Sequence, residues 1–277
     1  MAATGSEMRE HVRHVPRAAL RPYLGVATGY RDAGVAPAVH RGLPSPWLTF
    51  IFTLDEPLVI AAHPDRRQEP GAFDVLIGGL HTSPALITHE GSQSGIQLAL
   101  SPLGARALLG MPAGEIASID VHGDHVFGRL AGEVHDRVRA AATWPERFAV
   151  LEDFLIGRLR DAGECAGVSA EVRHAWDELM RTKGTAAVAD IAAGTGWSER
   201  HLRQRFRAET GLGPKEAGRV IRFDRARRRL ARRAVAGGPL GLADLAVSAG
   251  YFDQAHMDRD FRMLAGCSPT RWLADEA

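Results

Sequence analysis

The chain has 277 residues, 45% hydrophobic and 24% charged, a balance typical of a folded globular protein long enough for two domains. The first 16 residues lack the apolar core of a signal peptide, and no run approaches the roughly 18 apolar residues of a membrane span. We therefore expect a cytoplasmic protein. The two cysteines, Cys165 and Cys267, lack C-x-x-C spacing, so they predict neither a disulfide framework nor a zinc or redox site.

The net charge of +1 conceals an uneven distribution. Arg181 to Ala277 carry 18 basic and 11 acidic residues, a net charge of +7, whereas the remaining residues carry 16 and 22, a net charge of −6. Affinity for nucleic acid depends first on Lys and Arg side chains that neutralise phosphates and release counterions. The C-terminal third is therefore a basic module that indicates a polyanionic partner, although a solvated charged surface would give the same count.

The first hundred residues are predicted to be β-rich. In SPWLTFIFTLDEP, hydrophobic residues alternate with their neighbours, one set being Leu48, Phe50, Phe52 and Leu54. FDVLIGG, ALITHEG and SGIQLALS are further short runs separated by turn residues, a spacing typical of an antiparallel sandwich or barrel. Trp47, Phe50 and Phe52 are most simply core residues. One of the two alternating sets of side chains could also line a ligand pocket, since one face of a small barrel points inward.

From Ser101 the pattern becomes helical. Ser101 and Gly110 bound a first short helix, and two longer helices are predicted at 126–142 and 144–160. In the last of these, the residues on one face are Phe148, Leu151, Leu155 and Leu159. This face packs on its own sheet or on a second copy of the protein, so 101–160 is a possible dimerisation segment. DAGECAGV, at 161–168, is small and polar enough to be a linker.

Beyond the linker, every segment is predicted to be helical. The predicted helices are 171–181, 186–193, 199–209, 214–234, 242–247, 254–264 and 269–273. Capping residues agree with these bounds: the predicted N-caps are Ser169, Thr185, Ser198, Asp253 and Ser268, and the glycines just past helix ends are Gly211 and Gly266. The sequence therefore predicts an α+β protein, with a β-rich domain and trailing helices followed by an all-α domain.

A short unit occurs twice in the all-α domain. ADIA at 189–192 matches ADLA at 243–246, and the turn glycines Gly196 and Gly250 fall at the same offset. After one inserted residue the match continues at a constant shift of 55, for example from Phe206 to Phe261. Each copy is predicted to be a short helix, a tight turn and a second helix, the helix-turn-helix plan in which the second helix enters a major groove.

Helix periodicity predicts which side chains of each second helix face DNA. In the first copy, where Leu202 and Phe206 point inward, these are Arg200, Arg203, Gln204 and Arg207. In the second they are Gln254, Ala255, Asp258, Arg259 and Arg262. Arg can bond guanine, and Gln can bond adenine, through two atoms at once. The helix at 214–234 is about the right length to separate two reading helices by one turn of duplex, roughly 34 Å.

Other polar groups have less specific interpretations. His201 and His256 occupy equivalent positions, where support of the helix or contact with a phosphate is expected instead of catalysis or metal binding. The histidines of the β-rich part are His40, His63, His81 and His89. None of them forms an H-x-H pair with adjacent ligands on one strand face, so no metal site is predicted. RARRRLARR, at 225–233, is either a solvated helix face with Leu230 inward or a source of phosphate contacts.

The second copy contains the motif GYFDQAHMDRDFR, Gly250 to Arg262, followed by GCSP, Gly266 to Pro269. This motif gives residues from about Ser169 to Asp275 a resemblance to the DNA-binding domain of the AraC/XylS family of bacterial transcription regulators. It implies two helix-turn-helix subdomains joined by a central helix. The base contacts it implies fall on Arg200, Arg203 and Gln204 in the first copy and on Gln254, Ala255, Asp258 and Arg259 in the second.

The second copy departs from the family pattern. Ala255 offers no hydrogen bond, and Asp258 with Asp260 puts negative charge near phosphates. We therefore expect the second copy to bind more weakly, or Asp258 to accept a hydrogen bond from a cytosine amino group. The N-terminal half is loosely similar to the sensor halves of the same family, which implies a cupin-like β-domain, a small-molecule effector inside it and a homodimer.

The sequence thus predicts a sequence-specific DNA-binding transcription regulator with domains at 1–100, 101–160 and 169–277, no cofactor and no membrane partner. One alternative is an enzyme with a catalytic β-domain that the helical module localises on DNA. No nucleophile with its base, phosphate loop or metal set supports that alternative. A general architectural binder is a third possibility, and it would show little preference between DNA sequences.

Overall fold

A computed structural model describes residues 7–163 and 167–276. Within these residues, ten strands form two antiparallel sheets. Their bounds are β1 Met8–His14, β2 Ala27–Ala33, β3 Ala38–Gly42, β4 Leu48–Thr53, β5 Leu58–Ala62, β6 Gly71–Phe73, β7 Val75–Gly78, β8 Ala85–His89, β9 Ser92–Leu100 and β10 Asp120–His122. One sheet has the order β1-β2-β9-β4-β7-β10 and the other β3-β8-β5-β6. The predicted β-rich N-terminal domain is confirmed.

Alternating side chains of β4 point into two separate hydrophobic clusters. Phe50 and Phe52 are fully buried on the side of the sheet that packs on helices, and Phe50 stacks on Phe127 with ring centroids 5.7 Å apart. Ile51 points to the other side, where it joins a cluster with Leu58 and other residues of the four-stranded sheet. Both faces of β4 are therefore buried, as expected for a strand inside a two-layer domain.

Four helices accompany the sheets: α1 Ala105–Leu109, α2 Gly123–Phe127, α3 Arg129–Ala140 and α4 Trp144–Ala162. The single helix predicted at 126–142 is wrong, because Gly128 breaks it with φ 57° and ψ −140°. The segment 101–160, predicted to be helical, also contributes β10, which pairs with β7. Residues 161 and 162 of the predicted linker belong to α4, and 164–166, with Cys165, lie outside the described residues.

The apolar face of α4 packs within its own protomer. Phe148, Leu151 and Leu155 are each at most 2% exposed, and Phe148 stacks on His14 of β1 with ring centroids 4.4 Å apart. The helix begins with a capping box in which Thr143 and Glu146 satisfy each other's backbone N–H groups. Of the two packing partners left open by the sequence, the structure selects the protein's own core.

The C-terminal part is all-α, as predicted. Its helices are α5 Ala170–Arg181, α6 Val188–Thr195, α7 Glu199–Thr210, α8 Pro214–Val235, α9 Leu242–Ala249, α10 Gln254–Leu264 and α11 Pro269–Glu276. Ser169 caps α5 by accepting from the N–H of Val172, as predicted. The predicted cap Thr185 is wrong: its hydroxyl instead donates to the Thr182 carbonyl (2.7 Å), and α6 begins two residues later than expected.

Polar contacts join the two halves of the chain in at least two places. Arg106 of α1 donates from Nε and a terminal nitrogen to both oxygens of Glu209, at the end of α7 (2.8 Å each). Arg41 of β3 pairs with Asp275 of α11 (3.0 Å). Across residues 7–163 and 167–276, no helix is both long enough and apolar enough to cross a bilayer.

Candidate nucleic-acid interface

The first repeat copy is a pair of helices around a glycine turn. α6 ends at Gly196, which takes the left-handed conformation with φ 72° that glycine adopts without strain. Ser198 caps α7, because its hydroxyl accepts a hydrogen bond from the N–H of His201 (3.3 Å). Leu202 and Phe206 on the inner face of α7 are fully buried. The buried pair fixes which side of α7 remains in solvent.

The second copy repeats this construction. α9 ends at Gly250, with φ 95°, and the carboxylate of Asp253 caps α10 by accepting from the N–H of His256 (2.7 Å). Met257 and Phe261 are fully buried, at the positions that match the buried pair of α7. The internal repeat predicted from the sequence is therefore a structural repeat.

The second copy packs its core on the central helix α8, whereas the first packs on α5 and contacts the first turn of α8 through Arg207. Phe223 of α8 lies at an angle of 68° to Phe261, with ring centroids 4.9 Å apart, and Val220 and Ile221 are buried beside it. On the side of the first copy, Phe206 stacks on Trp176 of α5 at 5.9 Å. A 22-residue helix is about 33 Å long at 1.5 Å per residue.

The residues predicted to face DNA lie on the outer sides of α7 and α10. In α7 the exposed set is Arg200, His201, Arg203, Gln204 and Arg207. In α10 the exposed residues are Ala255, Arg259 and Arg262, and the partly buried ones are Gln254 and Asp258. Each helix therefore carries its predicted set opposite its buried core residues.

Two of the predicted arginines are held by carboxylates. Arg203 pairs with Glu199 one turn earlier in α7, and Arg207 pairs with Glu216 at the start of α8. Glu216 also accepts from the N–H of Gly213 (2.9 Å), so Arg207 links α7 to the first turn of α8. Sequence reasoning missed both carboxylates, although the four-residue spacing from Glu199 to Arg203 is a recognised pairing signal.

Asp260 differs from the sequence expectation. Its side chain is 6% exposed and lies 3.5 Å from Arg219 of α8, next to the Tyr251 hydroxyl. Burial raises the pKa of the Asp260 carboxyl, and the nearby arginines Arg219 and Arg222 oppose that shift. The expectation that Asp260 adds negative charge near phosphates is therefore wrong, because it points into the core between α8 and α10. Only Asp258 of the two remains near the outer face.

Some arginines of the run 225–233 on α8 make contacts within the protein. Arg227 and Arg228 both bond Asp224, at 2.7 and 2.8 Å, and Arg233 donates to the Leu240 carbonyl (2.6 Å). Leu230 is fully buried, as expected for the inward position. Asp224 was missed as a partner, although it stands three and four residues before the two arginines that it binds.

A cavity of about 410 Å³ lies between the two sheets. One side of its lining is apolar and includes Ile51, Leu58 and Ile87. Polar groups, among them Tyr30 and Gln97, line another part. The volume falls in the range of small-molecule sites, about 300 to 1,000 Å³.

The C-terminal half contributes part of the cavity wall. Arg227, Trp272 and Glu276 line it together with the strands. At this end, the backbone N–H of Arg41 donates to the Glu276 carboxylate (3.1 Å). A molecule in the cavity would therefore lie close to both α8 and α11.

The four histidines of the β-domain do not form one cluster, although His40 and His89 have ring centroids 6.2 Å apart. His63 Nδ1 lies 2.6 Å from Asp120, whereas His81 donates from Nδ1 to the Ser83 carbonyl (2.6 Å). Burial lowers the pKa of His81, and it likewise lowers that of His40, where the nearby His89 adds to the effect. In the part of the chain that the structure describes, no group of three or more His, Cys, Asp or Glu side chains is arranged to hold a metal ion.

Comparison with known proteins agrees with this geometry. Residues 191–275 match the protein family described as "Helix-turn-helix domain", which is of the AraC type. No curated protein sequence matches the chain significantly.

Solved structures share the whole fold. ToxT from Vibrio cholerae O395 is 12% identical, with a TM-score of 0.50 over 90% of this chain and 96% of that one. The same protein bound to (E)-4-(8-methylnaphthalen-1-yl)but-3-enoic acid is 10% identical, with a TM-score of 0.53 over 91% and 98%. Wild-type ToxT from strain SCE256 bound to an unsaturated fatty acid is 10% identical, with a TM-score of 0.50 over 99% and 98%. These likenesses concern the fold.

Proposed function

We propose that the chain, whose residues 191–275 match an AraC-type helix-turn-helix domain, is a sequence-specific DNA-binding transcription regulator controlled by a small molecule. The proposal assigns residues 1–100 to sensing, 101–162 to a mainly helical segment that carries the dimer contact, and 169–277 to DNA binding. A regulator acts where the DNA is, so we place the protein in the cytoplasm of a bacterial cell.

One observation carries the DNA-binding proposal: two equivalent helices, α7 and α10, expose polar rows opposite their buried core residues. Both are supported by the same central helix, about 33 Å long, which is close to one turn of duplex. This arrangement suits a monomer that places its two helices in successive major grooves.

The side chains of α7 suit base recognition and phosphate contact. We assign bidentate contacts with guanine to Arg200 and Arg203 and a contact with adenine to Gln204. His201 and Arg207 are assigned to phosphates. In α10, Gln254, Ala255, Asp258 and Arg259 are the proposed base-facing residues, and Arg262 is the proposed phosphate contact. These assignments make α7 the more basic of the two reading helices.

The cavity between the sheets is the proposed effector site. The ligands named for the two ToxT complexes are carboxylic acids with apolar bodies. The cavity here combines an apolar side with arginines, including Arg41 and Arg227, which pair with Asp275 and Asp224 in the protein alone. A small apolar molecule with an acidic head would bind there by taking one of these arginines from its carboxylate. Because α8 and α11 also contribute to the wall, occupancy can alter the position of the DNA-binding half.

A ligand test can use oleate as the probe. We expect oleate to raise the thermal unfolding midpoint of the full-length protein and methyl oleate, which lacks the charge, to raise it less. The Arg41→Ala variant should reduce the difference between the two probes. Equal effects of oleate and its methyl ester would contradict recognition of an acidic head.

We also propose a homodimer. Since the apolar face of α4 is already buried in its own protomer, the contact must use another surface, and the exposed Leu130 of α3 is the residue to test first. Sedimentation equilibrium of the full-length protein is expected to give twice the chain mass, and Leu130→Glu is expected to lower it.

Selection from random duplex DNA tests the function as a whole. We expect full-length protein to enrich one sequence and to bind it with a steep salt dependence, because arginines release counterions from phosphates. Random DNA of the same length is the matched competitor. Equal affinity for selected and random DNA would favour a general architectural binder.

A further inference from the structure

The two helix-turn-helix copies differ by one inserted residue, and the structure shows that this residue is Phe252. In each copy, the backbone N–H of the residue after the turn glycine donates to a carbonyl in the last turn of the preceding helix. Trp197 donates to the Ala192 carbonyl (3.2 Å), and Tyr251 donates to the Ala246 carbonyl (3.0 Å). Trp197 and Tyr251 are therefore equivalent.

The aromatic rings support the same alignment. Trp197 lies edge-on to His201, with ring centroids 4.6 Å apart, and Tyr251 lies edge-on to His256 at 5.0 Å. In the first copy the capping residue follows the aromatic residue directly. In the second, Phe252 stands between them, so it has no counterpart in the first copy.

Phe252 is 89% exposed in a turn that is fixed on both sides. Before it, Tyr251 is 4% exposed. After it, the carboxylate of Asp253 is bonded to the backbone of α10. The phenyl ring therefore lies in solvent at the start of the helix assigned to DNA reading, and it contributes little to the core of the protomer.

Phe252 extends an exposed row of α10. Ala255, Arg259 and Arg262 are exposed, and their three- and four-residue steps put them on one side of the helix. The two arginines give this row the charge that complements DNA. The row thus combines an apolar end, formed by Phe252 and Ala255, with a basic end.

We propose that Phe252, together with Ala255, reads thymine through its C5 methyl group, which makes Phe252 a specificity-determining residue of the second copy. The inference rests on the proposed DNA-binding function. Phe and Ala side chains recognise thymine by apolar contact with that methyl, which cytosine lacks. Recognition of this kind explains how a helix without a hydrogen-bonding side chain at position 255 can still discriminate between bases.

The test replaces each thymine of the selected site, one at a time, by deoxyuridine, which removes only the methyl group. Full-length wild type is expected to lose about three- to fivefold in affinity at one or two positions, the effect of burying one methyl group. Phe252→Ala should lose this preference for thymine over uracil, whereas Phe252→Met, which stays apolar, should keep part of it. Val247→Ala is the matched control, because Val247 is an apolar residue of the same copy, 66% exposed and outside the α10 row.

The outcomes separate the inference from the function on which it rests. A wild-type protein that selects one sequence but binds its thymine and uracil forms equally would overturn the role of Phe252 and leave the proposed function intact. The same conclusion follows if Phe252→Ala weakens both forms equally, since the ring would then contact the sugar-phosphate backbone. A protein that selects no sequence contradicts the proposed function, and this inference with it.

Discussion

Arg203 is the residue on which the assignment of base reading depends most. In the free protein its guanidinium pairs with Glu199, and both side chains are about half exposed. Exposed pairs of this kind contribute only about 0 to 1 kcal/mol. Guanine can therefore take Arg203 from Glu199 at small cost.

Replacing Arg203 by alanine should cost about 1 to 3 kcal/mol of binding free energy at one base pair and relax the identity of that base. The measurement is the affinity of the variant for the selected site and for its single-base variants. The base identity should relax because a bidentate contact discriminates between bases, whereas a phosphate contact does not.

Arg205→Ala is the matched control for this prediction. Arg205 is exposed on the same helix, but it lies between the buried face and the outer row. Its loss should weaken binding uniformly, if at all. A uniform loss in Arg203→Ala as well would identify Arg203 as a phosphate contact.

His81 makes stability depend on pH. Burial lowers its pKa below the ordinary value of 6.5, so the folded protein binds a proton less readily than the unfolded chain. The stability linked to His81 is therefore present above pH 6.5 and is lost as the pH falls below it. We expect the urea midpoint to fall between about pH 7.5 and about pH 5.5, and to fall less in His81→Asn.

His40 shares the direction of this shift, through burial and then through the charge of His89. Part of the acid sensitivity should therefore persist in His81→Asn and decrease further in the double variant with His40→Asn. An unchanged slope in both variants would exclude these histidines as its source.

At the scale of elements, Gly128 divides α2 from α3 with a backbone conformation that side chains other than glycine rarely adopt. A Cβ at this position meets nothing within 4 Å, so any penalty comes from the backbone alone. Gly128→Ala is expected to lower the free energy of unfolding by about 1 to 3 kcal/mol. Thermal and urea unfolding measure this change.

Gly132 of α3 is a glycine whose replacement should stabilise the protein. It lies within α3, and a Cβ there also meets nothing within 4 Å. Gly132→Ala should therefore raise the free energy of unfolding by about 0.4 to 1 kcal/mol. Stabilisation by both substitutions would mean that residues 123–140 can form one continuous helix.

The elements show which local signals suffice for prediction. Ser198 and Asp253 were correctly predicted as caps, because a side-chain oxygen just before an apolar periodic run is a strong local signal. Gly128 was missed because the apolar period continues past it. β10 was missed because its three residues form a strand only by pairing with β7. No local sequence pattern indicates that pairing.

At the scale of the whole molecule, the site was only partly predictable. The outer rows of α7 and α10 follow from helix periodicity and the repeat. The inward position of Asp260 could not be predicted, since it depends on Arg219 of α8, far away in sequence. The contact between Arg106 and Glu209, 103 residues apart, likewise arises only from the arrangement of the two halves.

The Arg106–Glu209 pair should couple the two halves energetically. Glu209 is 7% exposed and receives two hydrogen bonds from Arg106, whose own side chain is 38% exposed, so the pair is bidentate but solvent screens it in part. A double-mutant cycle with Arg106→Ala and Glu209→Ala is expected to give a coupling energy of about 1 to 3 kcal/mol in urea unfolding. The exposed pair of Glu178 and Arg181 within α5 is the control, with at most about 0.5 kcal/mol expected. Equal coupling in the two pairs would contradict a specific link between the halves.

The measurement that tests the central claim most directly is a footprint of full-length protein on its selected DNA site. Two protected major-groove patches about 10 base pairs apart for each monomer are expected, because α7 and α10 are equivalent helices on one central support. Protection should weaken steeply as salt is raised. A single patch for each monomer would contradict the account by showing that α10 does not read DNA, and the absence of any patch would contradict specific binding itself.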